Sequence, residues 1–290
     1  MSATRPDVWL SRQTFEKTAA PGDSTKAIPK SVQDAVERAL RMEAFYRENS
    51  DKTAGMILPK TMPEILHQMG KSAVFTCEIH SGFDRRIVAA SILWEKKMLT
   101  IEPDGALVMG DYYEAGTQFS ILGGYNFQWI LNAFTLLTAL CLDPGPTFFT
   151  ATFADNKPSM KNFRERMHFA DWSPLPATWK CERESALRSI NQAERGLCWF
   201  RPTLRSLVAA AELVVDLTTN PVRQRSKPVL AAASAMPNVL DANEIKFHCE
   251  EKLLNWIRRE ANAVATRQPK TFDQLCDALG YEIGPSFLQI

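Results

Sequence analysis

Apolar and polar positions fall into distinct periods along the chain. Residues 1–30 show no period and are rich in Pro, Gly, Ser and Thr, which predicts a flexible arm. Over 31–49, Val32, Val36, Leu40, Ala44 and Phe45 return at helical spacing with charges between them. A short second helix is predicted after Pro63, carrying Ile65, Leu66 and Met69. Two runs rich in Val, Ile, Phe and Thr, 73–79 and 87–94, flank the turn-like Ser81-Gly82 and predict an antiparallel hairpin. A third extended run covers 106–119. Residues 125–142 then form an almost uniformly apolar helix, which implies burial on several sides. The Asp143-Pro144-Gly145-Pro146 break ends it, and 147–153 and 157–167 predict a further strand and helix.

Beyond Trp172 strand signals nearly stop. Helices are predicted at 183–195, 203–217 and 241–266. The last opens on Asp241 and Glu244 like a capping box and presents Ile245, Cys249, Leu253, Trp256 and Val264 on one face. A short helix over 272–279 would end at Gly280. Residues 218–238 contain Pro221, Pro228 and Pro237 and predict a loop or hinge. The chain thus divides into an arm (1–30), an α/β domain (31–171) and a mainly helical C-terminal region (172–290).

Composition adds exclusions. Hydrophobic residues make up 45% and charged residues 23% of the 290, ordinary values for globular domains. A formal net charge of +1 provides no global field for a polyanion or an anionic membrane surface, so neither nucleic acid nor membrane is an expected partner. No segment resembles a signal peptide, and no apolar run approaches the ~20 residues that span a bilayer, so the cytosol is the expected location. The six cysteines lack a CxxC pair, which argues against a disulfide framework or a zinc site. His80 and His168 have no partner at triad spacing and are expected to be structural, as is Cys77. The Phe127 and Trp129 cluster is expected in the core, and the basic Arg223, Arg225, Lys227, Arg258 and Arg259 on the surface.

Two strings carry a resemblance. Tyr113-Glu114-Ala115-Gly116-Thr117, followed by Leu122-Gly123-Gly124-Tyr125-Asn126-Phe127-Gln128, reads as a strand entering a glycine turn and a helix. Ala151-Thr152-Phe153-Ala154-Asp155-Asn156-Lys157-Pro158-Ser159 runs on to Met167-His168-Phe169 and reads as a strand, an asparagine and a helix. Together, over about a third of the chain, they resemble the core of the GNAT superfamily of N-acyltransferases. The resemblance implies an α/β (α+β) fold with a mixed, mostly antiparallel sheet flanked by helices. In that family the strands on either side of the buried helix splay apart to admit the pantetheine arm of a donor. Carried over, it implies an acyl-CoA or acyl-carrier protein as co-substrate, a primary amine as acceptor, and no metal.

On this reading the donor lies along the backbone of Thr117 to Phe119, at Gly123, Gly124, Tyr125 and Asn126, and beside Asn156, Ser159 and Lys161. A bare glycine turn lets a pyrophosphate approach the backbone, and the following helix offers amides and the positive end of its dipole. Glu114 is the candidate general base, with Tyr112 and then Asp111 behind it, because an amine must lose a proton before it attacks. The chain departs from the family's Gln/Arg-x-x-Gly-x-Gly/Ala loop: aligned on Gly124, the outer positions hold Ile121 and Asn126. The family's tyrosine acid falls on Phe163 or Arg164. Between Lys97 and Lys157 there is no basic residue, so donor phosphates would rely on Lys157, Lys161, Arg164 or Arg166, or a carrier protein would do the positioning. A non-catalytic binding or regulatory protein on the same scaffold is the alternative.

Overall fold

The computed structural model describes residues 6–14, 30–52, 59–71, 73–81, 84–101, 106–142, 147–172, 196–224, 244–251 and 253–255. In chain order the elements are β1 (Asp7–Gln13), α1 (Lys30–Lys52), α2 (Met62–Gly70), β2 (Val74–Ser81), β3 (Asp84–Ile101), β4 (Leu107–Ser120) and α3 (Phe127–Leu142). They continue with β5 (Thr147–Phe153), α4 (Lys157–Lys161), a π-helical turn (Asn162–Arg166), β6 (Ala170–Asp171), β7 (Leu197–Arg201), α5 (Leu204–Thr219), β8 (Val222–Gln224) and β9 (Glu244–Cys249). The protein is a mixed α+β fold whose nine described strands form one mostly antiparallel sheet, in the order β6-β7-β5-β4-β3-β2-β1-β9-β8.

The chain resolves into two compact units. The first comprises Met1–Ile92, Thr117–Thr135 and Glu212–Asn255; the second comprises Leu93–Gly116, Leu136–Ala211 and Trp256–Ile290. In the first, β1 lies between β2, which it meets antiparallel with Leu10 opposite Cys77, and β9, which it meets parallel with Leu10 opposite Cys249. The β2–β3 hairpin appears where alternation predicts it, with a register shift at Cys77/Glu78. α1 packs on α2. α2 starts at Thr61, whose backbone N–H donates to Glu64 Oε2 at 2.8 Å, and Pro63 fits the first turn, where its missing N–H is not needed.

In the second unit β4 and β5 pair in parallel over three residues, Tyr112 to Glu114 against Thr147 to Phe149. On its other side β5 pairs antiparallel with β7, and β7 with β6. Phe148, Phe163, Phe169 and Phe200 form a buried aromatic core, with Phe163 stacked on Phe169 at 5.8 Å and 5.1 Å from Phe200. α3, whose residues up to Thr135 belong to the first unit, is buried on several sides, as its mainly apolar sequence predicts: Ile130 to Leu136 are all buried. Asn132, Thr135 and Thr138 are buried with them, so the helix must bond its polar groups internally or to the sheet.

Three expectations need correction. Residues 7–13, read as part of an arm, form β1, with Val8 and Leu10 fully buried by neighbours supplied from far along the chain. Residues 244–249, read as the start of a helix, form β9: burial follows period two, through Ile245 and Phe247. With β7 and β8, this gives the described residues beyond Trp172 three strands besides α5. The helix predicted over 157–167 divides into α4 and a π-helical turn, in which the Met167 N–H reaches back to the Asn162 carbonyl at 3.0 Å. The predicted helices at 183–195 and 272–279, and Asp241, Arg225, Lys227, Arg258 and Arg259, lie outside the described residues.

Candidate functional site

In the first unit the candidate donor segment begins where β4 ends. Thr117 has φ of 54°, the left-handed region that a β-branched residue enters only when its surroundings impose it. Its carbonyl accepts a hydrogen bond from the Tyr46 hydroxyl of α1 at 2.9 Å. Tyr46 is wholly buried, and loss of solvation raises its phenol pKa far above the ordinary value, so it stays a donor. The neighbouring Phe45 packs on Phe119 with ring centroids 5.9 Å apart. Gln118 and Asn132 exchange amide hydrogen bonds, and Asn132 also donates to the Gln128 carbonyl at 3.0 Å. The strand end is therefore held by side chains from two helices.

The turn that follows is equally fixed. Ile121 donates to the Val88 carbonyl at 2.9 Å, and the Ser120 hydroxyl donates to the Leu122 carbonyl at 2.9 Å. Gly124 has φ of 92° and Asn126 φ of 63°. Gly123 is exposed, and a Cβ built there meets nothing within 4 Å. The bare backbone over Gly123 thus faces open space, the condition a phosphate needs to approach. Ile130 closes the first helical bond to Asn126 at 3.0 Å, and the first turn of α3 carries no acidic residue to oppose an anion. Tyr125 differs from the expectation: its side chain is buried, edge-on to Phe127 at 6.1 Å, while Phe127 meets Phe247 at 5.3 Å. It anchors the turn in the core.

In the second unit, Glu114 is buried to 6% exposure. Strand alternation puts Tyr112, Glu114 and Gly116 on one face of β4, and the parallel register sets Phe149 opposite Glu114. A Cβ on Gly116 would lie 3.1 Å from Trp94 Cδ1 and 3.7 Å from the Glu114 carboxyl carbon, so the indole and the carboxylate both sit against that glycine. Phe149 lies 5.5 Å from Trp199 and 5.8 Å from Trp172 between ring centroids, and Tyr112 packs on the Phe149 and Trp199 pair. Immediately beyond the three-residue ladder, the Thr150 hydroxyl donates to the Ala115 carbonyl at 2.7 Å.

The third group, also in the second unit, is more occupied than expected. Asn156 Oδ1 accepts from the Ser159 backbone N–H at 3.3 Å and caps α4, giving both residues a local structural task. Lys161 lies 3.5 Å from Glu165, both exposed. Arg164 donates twice to Asp171, at 3.0 and 3.2 Å, and lies over the Phe200 ring. Its charge is already neutralised. Phe163, at the family's tyrosine position, is a core residue.

The His168 carbonyl accepts from the Thr203 and Ser206 hydroxyls at 2.8 and 2.9 Å, and its ring pKa is lowered by burial and then by Arg205. His80 stacks on Trp9 at 5.4 Å, with its pKa lowered by burial first and by Arg85 next.

Thr117, Phe119, Gly123, Gly124, Tyr125 and Asn126 thus form one continuous, braced segment of the first unit. Glu114 and Tyr112 share a face within the second. Sequence reasoning missed Tyr46, the Gln118–Asn132 pair and the aromatic surroundings of Glu114. A lone Asn in an otherwise apolar helix was the signal for the second; the others depend on pairing between distant segments. Among the described residues no three His, Cys, Asp or Glu side chains are grouped as a metal ion would require, and no helix is long and apolar enough to cross a membrane. No family model matches the chain, and no curated protein matches it.

Proposed function

We propose that the protein is a GNAT-type N-acyltransferase of the cytosol, moving an acyl group from acyl-CoA or an acyl-carrier protein to a primary amine. The observation that carries this reading is the make-up of β4. One strand bears a buried carboxylate, then a positive-φ kink at Thr117, and runs into a braced glycine turn at the head of a buried helix. The parallel β4–β5 pair joined through α3, with a ladder of only three residues, supports a GNAT-like sheet.

The chemistry follows from these groups. A primary amine is protonated near neutral pH and must lose a proton before it attacks, which calls for a positioned base. Glu114 takes the proton, and the freed nitrogen lone pair attacks the thioester carbonyl carbon. A C–N bond forms as the carbonyl π electrons move to oxygen, where backbone amides of 117–119 stabilise the charge. Collapse breaks the C–S bond; the nitrogen gives up its second proton, the leaving thiolate takes up a proton in turn, and the neutral amide remains. The donor's phosphates lie over Gly123 and Gly124 at the positive end of α3. The test uses the full chain with acetyl-CoA and a panel of primary amines, following free thiol and amide mass together. Thiol release matched by amide, and lost in Glu114→Gln, supports the reading; thiol release without amide, or none, defeats it.

One observation favours a non-catalytic scaffold. Two of the four cations that would serve donor phosphates are engaged: Arg164 with Asp171 and Lys161 with Glu165. If that reading is right, acyl-CoA and carrier-bound donors leave the melting temperature unchanged.

A further inference from the structure

Asn132 is an amide in an apolar stretch of α3, fully buried between Ile130 and Leu131 on one side and Ala133 and Phe134 on the other, all buried as well. Its side chain and that of Gln118, at the end of β4, exchange hydrogen bonds in both directions, each amide donating one and accepting one. Asn132 Nδ2 also donates to the Gln128 carbonyl at 3.0 Å, so both of its N–H groups and its oxygen are engaged. Gln118 follows Thr117, whose φ of 54° is unfavourable for a β-branched residue, and the Thr117 carbonyl is held from α1 by the Tyr46 hydroxyl at 2.9 Å. The peptide joining Thr117 to Gln118 is thus tied at one end to α1 and at the other to α3. Because that peptide is planar and trans, holding its carbonyl towards Tyr46 turns the Gln118 N–H to the opposite side.

We infer that Gln118 and Asn132 are positioning residues: their amide pair sets the kinked backbone of 117–119 at the angle the donor thioester requires, and adds little to the stability of the fold. This rests on the acyl-transfer reading and deepens it, because 117–119 is the segment whose amides polarise the thioester carbonyl there. A hydrogen-bonded amide pair removed from water and an apolar pair of the same bulk give similar stability, since each amide gives up bonds to water to form the internal ones. What the amides add is direction. Two opposed hydrogen bonds are satisfied in one register and one rotation, whereas apolar side chains attract without a preferred angle and let the strand end slide along α3. Tyr46 alone does not supply that constraint, because a single bond to the Thr117 carbonyl leaves the peptide free to turn about it. A left-handed threonine relaxes to an extended conformation unless its surroundings hold it from both sides.

Two double variants of the full chain test this, with acetyl-CoA and the primary amine that the parent protein turns over fastest. Gln118→Met with Asn132→Leu removes the pair and keeps its bulk; Gln118→Asn with Asn132→Gln exchanges the amides and keeps the pair. The apolar variant is expected to melt within about 3 °C of the parent protein. Its kcat should fall about 10- to 100-fold and its donor KM change by less than about threefold, the split expected when an interaction of the transition state alone is lost. The exchanged variant should keep kcat within about fivefold of the parent value. Backbone chemical shifts should show Thr117 leaving the left-handed region in the apolar variant and staying there in the exchanged one. An apolar variant that keeps kcat or fails to fold, or an exchanged pair that recovers nothing, overturns the inference. In the parent protein the side-chain NH2 protons of Gln118 and Asn132 should exchange with solvent about tenfold or more slowly than those of exposed amides, and rapid exchange overturns it without any variant. If the parent protein forms no amide product, the acyl-transfer reading falls and the Thr117 shifts decide the rest: a Thr117 released in the apolar variant keeps the pair as what sets this backbone, and a Thr117 unmoved removes that as well.

Discussion

Two carboxylates, one in each unit, are buried to the same 6% exposure and have different neighbours. Glu78, on β2 of the first unit, accepts from Arg41 at 2.7 Å and belongs to a chain of polar groups. In that chain Gln13 Nε2 donates to Ser11 Oγ at 2.7 Å and Thr76 Oγ1 at 2.8 Å, and the Thr76 hydroxyl reaches Glu78 Oε1 at 3.4 Å. Glu114, on β4 of the second unit, is set among Trp94, Phe149 and Tyr112 on a strand without basic residues. Equal burial therefore does not mean equal purpose. A carboxylate that faces a cation within a polar network stabilises the sheet, whereas Glu114 is the base on the proposed reading.

The contrast is broken or sharpened most strongly by exchanging each acid for its amide. Glu114→Gln is expected to lower acyl transfer about 10²- to 10⁴-fold while the melting temperature hardly moves. Glu78→Gln should do the reverse. It removes the charge facing Arg41, whose Nε has no hydrogen-bond partner and whose side chain is 30% exposed, and should destabilise the fold by about 2 kcal/mol in urea titration. That figure lies below the range for fully buried pairs because water reaches part of Arg41. If both substitutions act on stability alone, Glu114 is a structural acid and the distinction is lost.

Smaller effects probe the bracing of the donor segment. Tyr46→Phe removes the bond to the Thr117 carbonyl and should cost about 1 kcal/mol, with the reaction rate falling further than stability explains if that kink positions the thioester. The two loop glycines should separate. Gly124→Ala is strained by φ of 92° and destabilises by about 1 kcal/mol with or without a donor. Gly123→Ala meets open space, so it should leave stability unchanged and weaken the donor. A Gly123→Ala protein that binds acyl-CoA normally would make this turn a mere connection.

What the sequence revealed follows from how local each signal is. α3 and β5 were legible because a long apolar run and a seven-residue β-rich run are bounded by a Pro-Gly break. Gly123-Gly124 was legible because glycine chemistry is local. β1 was not: only Val8 and Leu10 mark its inner face, and the strands that bury them lie at residues 74–81 and 244–249. In β9, Ile245, Cys249 and Leu253 fit a helical step as well as Ile245 and Phe247 fit a strand, and six residues cannot decide between the periods. At the candidate site Glu114 could be named, but its environment could not. Trp94, Phe149, Trp172 and Trp199 come from separate segments, and only the parallel β4–β5 register and the β5–β7 pairing bring Phe149 and Trp199 to its face.

The last expected effect is absent at neutral pH and emerges on the alkaline side, in the first unit. Cys77 and Cys249 stand on either side of Leu10 across β1, one on each neighbouring strand. Burial pushes the Cys249 thiol up to about 12 from 9.0, with Glu250 adding to the shift; burial likewise raises Cys77 well above 9.0, with Cys249 and Glu78 adding to it. A group whose folded-state pKa is raised favours the folded state fully below its unfolded value and loses that contribution as pH climbs towards the folded value. Stability should therefore be flat in these thiols up to about pH 9 and then fall by about 1.4 kcal/mol per pH unit for each one that remains protonated in the fold. Cys249→Ser removes one of the two titrations. Its urea-derived stability should run parallel to that of the parent protein below pH 9 and fall about half as steeply, in the part due to these thiols, between pH 9 and 11. Hydrogen exchange should show the accelerated opening in β1, β2 and β9 and not in β5 and β7. Equal slopes in the two proteins would mean that the thiols ionise inside the fold, and that the first unit resists buried charge no better than the aromatic face that holds Glu114.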